Sequence, residues 1–385
     1  MSFISSLSLH NFRCYKQAAL ADVTPGLVVL FGPNGAGKTN VLEAISLLAP
    51  GRGLRSAKNI EMQSQHSPRA WAVSAEINRG AAMPVRIGTG LDPATDKRMI
   101  RIQGETVKSQ SALADYLACV WLTPQMDRLF IDSASHRRRF LDRLVFAFDP
   151  GHAGRVSRYD QALSQRSRLL RDGNPDLVWL TGLEKQIAET GIAIAAARLD
   201  FVQRLQAVCS TRPDDHFPRA RLAVTGTIEG LLSKAPALEV EDMFLYQLVA
   251  SRPRDSQTGG AATGPHKSDL AVIFDSKNMP ADQCSTGEQK ALLIGIILAH
   301  AYLIKAERGL IPILLLDEIA AHLDEQRRGA LYDILQAAGG QVWLTGTDHN
   351  LFEAVKNSAQ FFEVQGASIA AHDDPVISQM RVTGR

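Results

Sequence analysis

The sequence predicts an α/β fold with a phosphate-binding α/β lobe and a mostly helical second lobe, and three observations carry that expectation. A complete G-x-x-x-x-G-K-[ST] loop, "GPNGAGKT", lies near the start between an apolar strand and a helix. A run of aliphatic residues ending in two acids, "ILLLDE", lies near the end. Between them the hydrophobic rhythm changes from alternation to helical spacing. The α/β lobe is therefore expected from residues 1–120 and 305–385, and the helical lobe from residues 121–304.

A chain of 385 residues exceeds the size at which a single core is the norm. Lys and Arg number 42 against 40 for Asp and Glu, a net charge of +2, so a polyanion would need a local basic patch. The four cysteines, Cys14, Cys119, Cys209 and Cys284, lie far apart with no C-x-x-C pair, which disfavours a zinc site or a disulfide framework and fits a reducing cytosol. The first residues lack a basic start before an apolar core, and the longest apolar runs read as interrupted or too short to span a bilayer, so a cytoplasmic protein without a membrane partner is expected.

Residues 2–31 alternate apolar and polar before reaching "GLVVLFG", and "RAWAVSAEI" and "MPVRIGTGL" continue the strand rhythm to Leu91. From Ser109 to about Ala250 the spacing reads as helical, through "SALADYLACVWL", "ASHRRRFLDRLVFAF" and the stretch from Pro175 to Cys209. A Gly/Thr/Ser-rich segment, "SQTGGAATGPH", marks a boundary before the strand "SDLAVIFD". A helix over Glu288–Glu307, the strand "IPILLLDE", a helix over Glu325–Ala338 and the strand "QVWLTGTD" follow. Alternating strands and helices imply a parallel sheet.

The glycine loop can wrap a triphosphate closely, with its N–H groups turned inward. Gly32, Pro33, Asn34, Gly35, Ala36, Gly37, Lys38 and Thr39, with Asn40 next in line, form the expected nucleotide cradle. Lys38 supplies a point charge to the β- and γ-phosphates, and Thr39 can ligate Mg²⁺. Asp317 ends a strand that opens into the nucleotide crevice and can hold the magnesium shell. Glu318 can orient or deprotonate the attacking water, or can simply favour the start of the next helix. In "QCSTGEQKAL", Ser285 and Gly287 precede a long apolar helix. Ser285 is either an ordinary N-cap with Glu288 in the first turn or the edge of an anion site.

The P-loop, the Ser-x-Gly helix start and "LLLDE", in that order, resemble the ABC-type ATPases, and the fold implied is an ABC-type ATPase head. In that family the signature serine binds the γ-phosphate of ATP held by a second subunit, so Ser285 and Gly287 are implied to act across a homodimer. "CSTGE" stands where the family has Leu-Ser-Gly-Gly-Gln or -Glu, and Cys284 and Thr286 depart from it. The resemblance also implies that Asp324, ending "AAHLD", is a dimer-seam aspartate and that Gln125, after "VWLTP", is a glutamine-loop metal ligand. Thr347, then His349, in "LTGTDHN" stand for the switch histidine.

Transporter motors of this class keep the signature closer to the P-loop. The opening "LSLHNFRCY" instead resembles the branch of SMC, zinc-hook and RecF proteins, with Asn11 and Arg13 implied beside the adenine. The break "RDGNPDLV" leaves no room for a long coiled-coil arm, because the longest available helix spans only roughly 50 Å. The chain resembles the armless RecF family, through "HRRRFLDRLVF", "ATGPHKSDL" and overall length. What that resemblance implies is a slow, DNA-stimulated ATPase that binds DNA as an ATP-dependent dimer and assists recombinase loading with RecR and RecO. Independently, the run from His136 with Arg155, Arg158, Arg166, Arg168 and Arg171 is either a set of phosphate contacts or a solvated helix face, and the RecF pattern also implies a structural or nucleotide-side place for Arg137 to Arg139.

Overall fold

In the computed structural model of the chain, residues 2–64, 69–80, 82–173, 176–213 and 215–372 are described. Asn174 and Pro175, within the expected helix break, lie outside the described residues. The chain folds into two compact units, Met1–Met126 with His300–Arg385, and Asp127–Ala299.

The first unit begins with β1 (Phe3–Phe12), β2 (Tyr15–Leu20), β3 (Leu27–Phe31) and α1 (Lys38–Ser46). It continues with β4 (Ala72–Arg79), β5 (Ala82–Leu91), β6 (Arg98–Ile102), β7 (Glu105–Val107) and β8 (Cys119–Leu122). The second unit carries α2 (Ala134–Phe146), α3 (His152–Arg171), α4 (Leu177–Thr211), β9 (Ala220–Thr225), α5 (Thr227–Leu232), α6 (Ala237–Ala250) and α7 (Arg252–Thr258). After β10 (Asp269–Phe274) and β11 (Met279–Pro280), α8 (Thr286–Arg308) carries the chain back to the first unit. There β12 (Ile313–Leu316), α9 (Glu325–Ala338), β13 (Val342–Gly346), β14 (Ala359–Gln365) and β15 (Ser368–Ala371) complete it.

Two sheets make the first unit. One has the order β2-β1-β4-β5-β6-β7 and is antiparallel throughout. The other has the order β15-β14-β3-β13-β12-β8, with only β15 antiparallel. Of its inner strands, β3 (LVVLF) and β12 (ILLL) read as continuous apolar runs because both faces are covered. Val28, Leu30, Ile45, Trp71, Trp121, Leu315 and Trp343 belong to one core shared by α1 and the two sheets. Register sets the site: Phe31 pairs with Gly346 on β13, and Leu316 pairs with Leu344 on β13 and Leu122 on β8. The carboxyl ends of β3, β12 and β13 thus emerge side by side, at the edge where such sheets bind ligands.

The second unit is built on α4, a 35-residue helix and the longest described. Leu183, Ile187 and Ile194 of α4 pack with Tyr159, Phe244 and Leu248 in its core. A three-stranded antiparallel sheet, β11-β10-β9, accompanies the helices.

Four expectations need correction. The stretch "SALADYLACVWL" is one 3-10 segment, Gln110–Asp115, followed by β8, because Cys119–Leu122 pairs in parallel with β12 instead of continuing a helix. The Gly/Thr-rich segment before β10 lies inside the second unit and is tightly held: His266 bonds Tyr159 at 2.7 Å, and the Pro265 carbonyl accepts from Arg198 at 2.7 Å. α8 is long and apolar enough to cross a bilayer, yet 78% of its most apolar window is buried in the protein, as in a core helix. Finally, several arginines in the basic run are committed internally. Arg166 is fully buried and bonds Glu184 at 3.0 Å, Asp255 at 2.8 Å and the Leu248 carbonyl at 2.7 Å. Arg155 pairs with Asp149, while Arg137 grips Asp269 with two bonds of 2.7 Å and Arg138 donates to the Ser268 carbonyl, in keeping with the structural alternative for those two. Arg158, Arg168 and Arg171 stay exposed.

Removing one partner of a buried charge network strands the others without water. Arg166→Ala is therefore expected to lower unfolding free energy in urea by about 3–5 kcal/mol. Arg168→Ala, at an exposed position of the same helix, should change it by no more than about 0.5 kcal/mol.

Candidate active site

The glycine loop starts where β3 ends. Gly32 N–H donates to the Gly346 carbonyl at 3.2 Å, tying the loop's first residue to the end of β13. Gly32 has φ 146°, and a Cβ there would overlap the Val364 carbonyl of β14, so no larger residue fits. Gly37 has φ 117°, and its Cβ would lie 2.6 Å from Tyr15 Oη and 2.8 Å from Cys14 Sγ. Pro33, Asn34 and Gly35 face solvent, whereas Ala36 is buried.

Lys38 opens α1 and is only 4% exposed. Its ammonium donates to the carbonyls of Gly32 at 2.7 Å and Pro33 at 2.9 Å, curling back over the loop. Burial pulls its pKa below the ordinary lysine range, against the opposing pull of Glu318 and Asp317. Asn40 donates to Cys14 Sγ at 3.1 Å and accepts from Arg55 at 2.8 Å.

Asp317, directly after β12, is 6% exposed. Thr39 Oγ1 lies 3.0 Å from both of its carboxylate oxygens, and Thr345 Oγ1 donates to Oδ1 at 2.8 Å. The next residue, Glu318, holds φ 52° and ψ 23° while its N–H donates to Thr345 Oγ1 at 2.8 Å. A left-handed backbone at a residue with a long side chain costs about 1–3 kcal/mol and persists only where its surroundings impose it.

The Thr39 hydroxyl and the Asp317 carboxylate are hard oxygen donors in contact, which suits Mg²⁺. Among the described residues no cluster of three or more His, Cys, Asp or Glu could hold a metal alone. Mg²⁺ commonly takes the rest of its shell from phosphates and water.

The remaining expected residues fall into three situations. Asn11 is buried, and the Arg13 guanidinium clasps Glu43 at 2.8 and 2.6 Å and the Glu61 carbonyl at 2.6 Å, so both are built into the wall beside α1. Asp324 caps α9 by accepting from Arg327 N–H at 2.8 Å and is exposed. Gln125 is exposed just beyond β8 and makes no hydrogen bond to Thr39 or Asp317. Thr347 is exposed past β13, whereas the His349 ring packs 5.4 Å from Phe31, the residue before the loop.

In the second unit Ser285 is exposed and forms a reciprocal cap with Glu288. Ser285 N–H and Oγ donate to the Glu288 carboxylate at 2.9 and 2.8 Å, and Glu288 N–H returns to Ser285 Oγ at 3.4 Å. Gly287 lies in the first turn of α8. The hydrogen bond from Lys277, then those from Ser285, hold the Glu288 carboxyl down at about 2. The N-cap reading of this serine is therefore realised within the chain.

Two residues escaped the sequence reading. Glu43, 1% exposed, receives both Arg13 and Arg55, and its signal was an acid inside the apolar run "NVLEAISLL". Thr345 had only a strand-end position to announce it.

The sequence matches the RecF/RecN/SMC N terminal domain family over residues 3–369. The DNA replication and repair protein RecF of Mesorhizobium japonicum is 48% identical over 374 residues, covering 96% of this chain and 98% of that protein. Its Caulobacter sp. namesake is 48% identical over 386 residues with the same coverages, 96% and 98%. A solved structure of the recombination mediator protein RecF-ATPrS in the RecFOR pathway gives a TM-score of 0.86 at 21% identity, covering 97% of this chain and 98% of that one. The Pyrococcus furiosus Smc head domain with an extended coiled coil gives 0.55 at 16% identity, covering 99% and 98%. These likenesses establish the fold as an ATPase head of the SMC and RecF type.

Burial lifts the Asp317 pKa above the ordinary carboxylate range. Its contribution to stability is then whole below the unfolded-state pKa of about 4 and lost as pH rises through the folded value. Asp317→Asn cannot ionise and is expected to melt at or above the parent chain at pH 7, with the gain fading near pH 4, in thermal scans without nucleotide or Mg²⁺. A clear drop at pH 7 would mean that the bonds to Thr39 and Thr345 outweigh desolvation.

Proposed function

The chain belongs to the RecF family of DNA replication and repair proteins, and from that premise we propose that it is an ATP-gated DNA-binding protein with a composite active site. Two copies sandwich ATP, the closed dimer holds duplex, gapped or junction DNA, and slow hydrolysis reopens it. In the cytoplasm it would work with RecR- and RecO-type partners to help load the recombinase at gaps.

The roles follow from chemistry. The loop from Gly32 to Thr39 and the free N–H groups of the first turn of α1 take the phosphates. Lys38 leaves the Gly32 and Pro33 carbonyls for a stronger acceptor, a phosphate oxygen. Thr39 and Asp317 would hold magnesium, which supplies charge neutralisation at the β- and γ-phosphates when bound. Glu318 takes a proton from the attacking water. Ser285 and Gly287 contribute to the γ-phosphate held by the other copy, with Asp324 at the seam, Gln125 approaching the metal from β8, and Asn11, Arg13 and Asn40 beside the nucleoside. The contact that most supports this reading is the 3.0 Å approach of Thr39 Oγ1 to both Asp317 oxygens, across 278 residues of chain.

Two substitutions test it. Ser285→Arg should leave ATP affinity of the monomer nearly intact while abolishing ATP-induced dimers in light scattering. Glu318→Gln should slow turnover by about 10²–10⁴-fold and leave ATP-bound dimers that persist. Full-speed turnover by a protein that stays monomeric at saturating ATP with DNA would sink the shared site.

A further inference from the structure

Thr345 is fully buried near the end of β13, opposite Leu30 of β3. Two hydrogen bonds meet at its hydroxyl, and chemistry fixes their directions. The Glu318 N–H can only donate, so the Thr345 hydroxyl must accept there and has its one proton left for the Asp317 carboxyl. Thr345 Oγ1 therefore accepts from Glu318 at 2.8 Å and gives its single proton to Asp317 Oδ1 at 2.8 Å. That same Oδ1 also accepts from Thr39 Oγ1 at 3.0 Å.

Nothing in the packing asks for a hydroxyl here. Valine has the same branched shape and at least the same preference for a strand. What the hydroxyl adds is a link between the two acids of the site. It reaches the carboxylate of one and the backbone of the other, and that other backbone is the left-handed one, φ 52°.

We infer that Thr345 is a positioning residue for ATP hydrolysis: it locks the Asp317–Glu318 step in its left-handed turn and so sets the direction of the Glu318 side chain while steadying Asp317 against Thr39. The inference rests on the ATPase reading above. Thr345 itself touches neither nucleotide nor water in this role. It acts through the two acids, and its loss should leave phosphate binding by the loop and Lys38 in place.

The test compares Thr345→Val, Thr345→Ser and the parent chain by two independent measurements. The first is hydrogen exchange of the peptide containing the Glu318 amide, in the full chain without nucleotide. Valine should speed exchange of that amide by about tenfold or more, and serine should restore protection. The second is steady-state turnover with DNA. Valine should lower kcat by about 10- to 100-fold, the range seen when a supporting partner of a site ligand is removed. KM and fluorescent-ATP affinity should stay within about threefold, and serine should recover most of kcat. Unchanged exchange, unchanged kcat, or an ATP affinity that falls as far as kcat would each overturn the assignment. If the parent chain shows no turnover, the ATPase reading fails, and the exchange measurement alone still decides whether Thr345 holds the turn.

Discussion

Everything at the site depends on the parallel register of β3, β13 and β12. The strands come from residues 27–31, 342–346 and 313–316, so their alignment joins segments about three hundred positions apart. Because Phe31 lies opposite Gly346 and Leu316 opposite Leu344, the glycine loop, Thr345 and Asp317 all emerge at one edge. A slip of one residue would turn each side chain to the other face and separate the Thr39 hydroxyl from the Asp317 carboxylate. The shared core, with Trp343 and Leu315 buried between neighbours, holds that register. Packing and chemistry are thus the same constraint seen from opposite ends of the strands.

How much of this could be read beforehand follows a physical pattern. The glycine loop was legible because its chemistry is contiguous: the residues, their spacing and both flanking elements sit within one short stretch. "ILLLDE" was legible because a strand buried on both faces has no need to alternate. The helix over Glu325–Ala338 coincides with α9 because Asp324 before it and Gly339 after it, at φ 72°, are ordinary helix ends. By contrast, four residues of β8 carry too little periodicity to be told from a helix, and only pairing with β12 decides. The fate of Arg166 was hidden because its partners, Glu184 and Asp255, are 18 and 89 residues away. Thr345 was hidden because a hydroxyl at a strand end has no spacing signal.

Buried charge is handled in two ways, and the contrast lies between the site and its surroundings: Glu43 of the first unit is met by Arg13 and Arg55, and the second unit has similar sets. In the second, carboxylates are met by arginines in closed sets: Arg198 takes both oxygens of Asp142 at 2.8 Å, and Glu184 is shared between Arg166 and Arg252. Such sets tie helices into one geometry, because each member removed exposes the rest. In the first unit the two acids of the site have no arginine of their own. The side-chain hydrogen bonds to Asp317 come from hydroxyls, Lys38 and Arg55 act on it through space, and burial still holds its pKa high. A buried carboxylate that is hydrogen-bonded by hydroxyls and clasped by no arginine keeps its oxygens open to a cation delivered with a substrate, whereas one already matched by arginine does not.

The serine at the head of α8 already has a negative companion in Glu288, whose carboxylate takes both of its donors. If, as proposed, this serine receives a phosphate held by a second copy, that phosphate would not fill a vacant berth; it would swap places with a resident anion that Lys277 already pairs with. In a swap, the free energy released is only the difference between the two partners, so neither side of the exchange is locked. The proposed junction, built on that difference, would be undone by the loss of a single phosphoryl group.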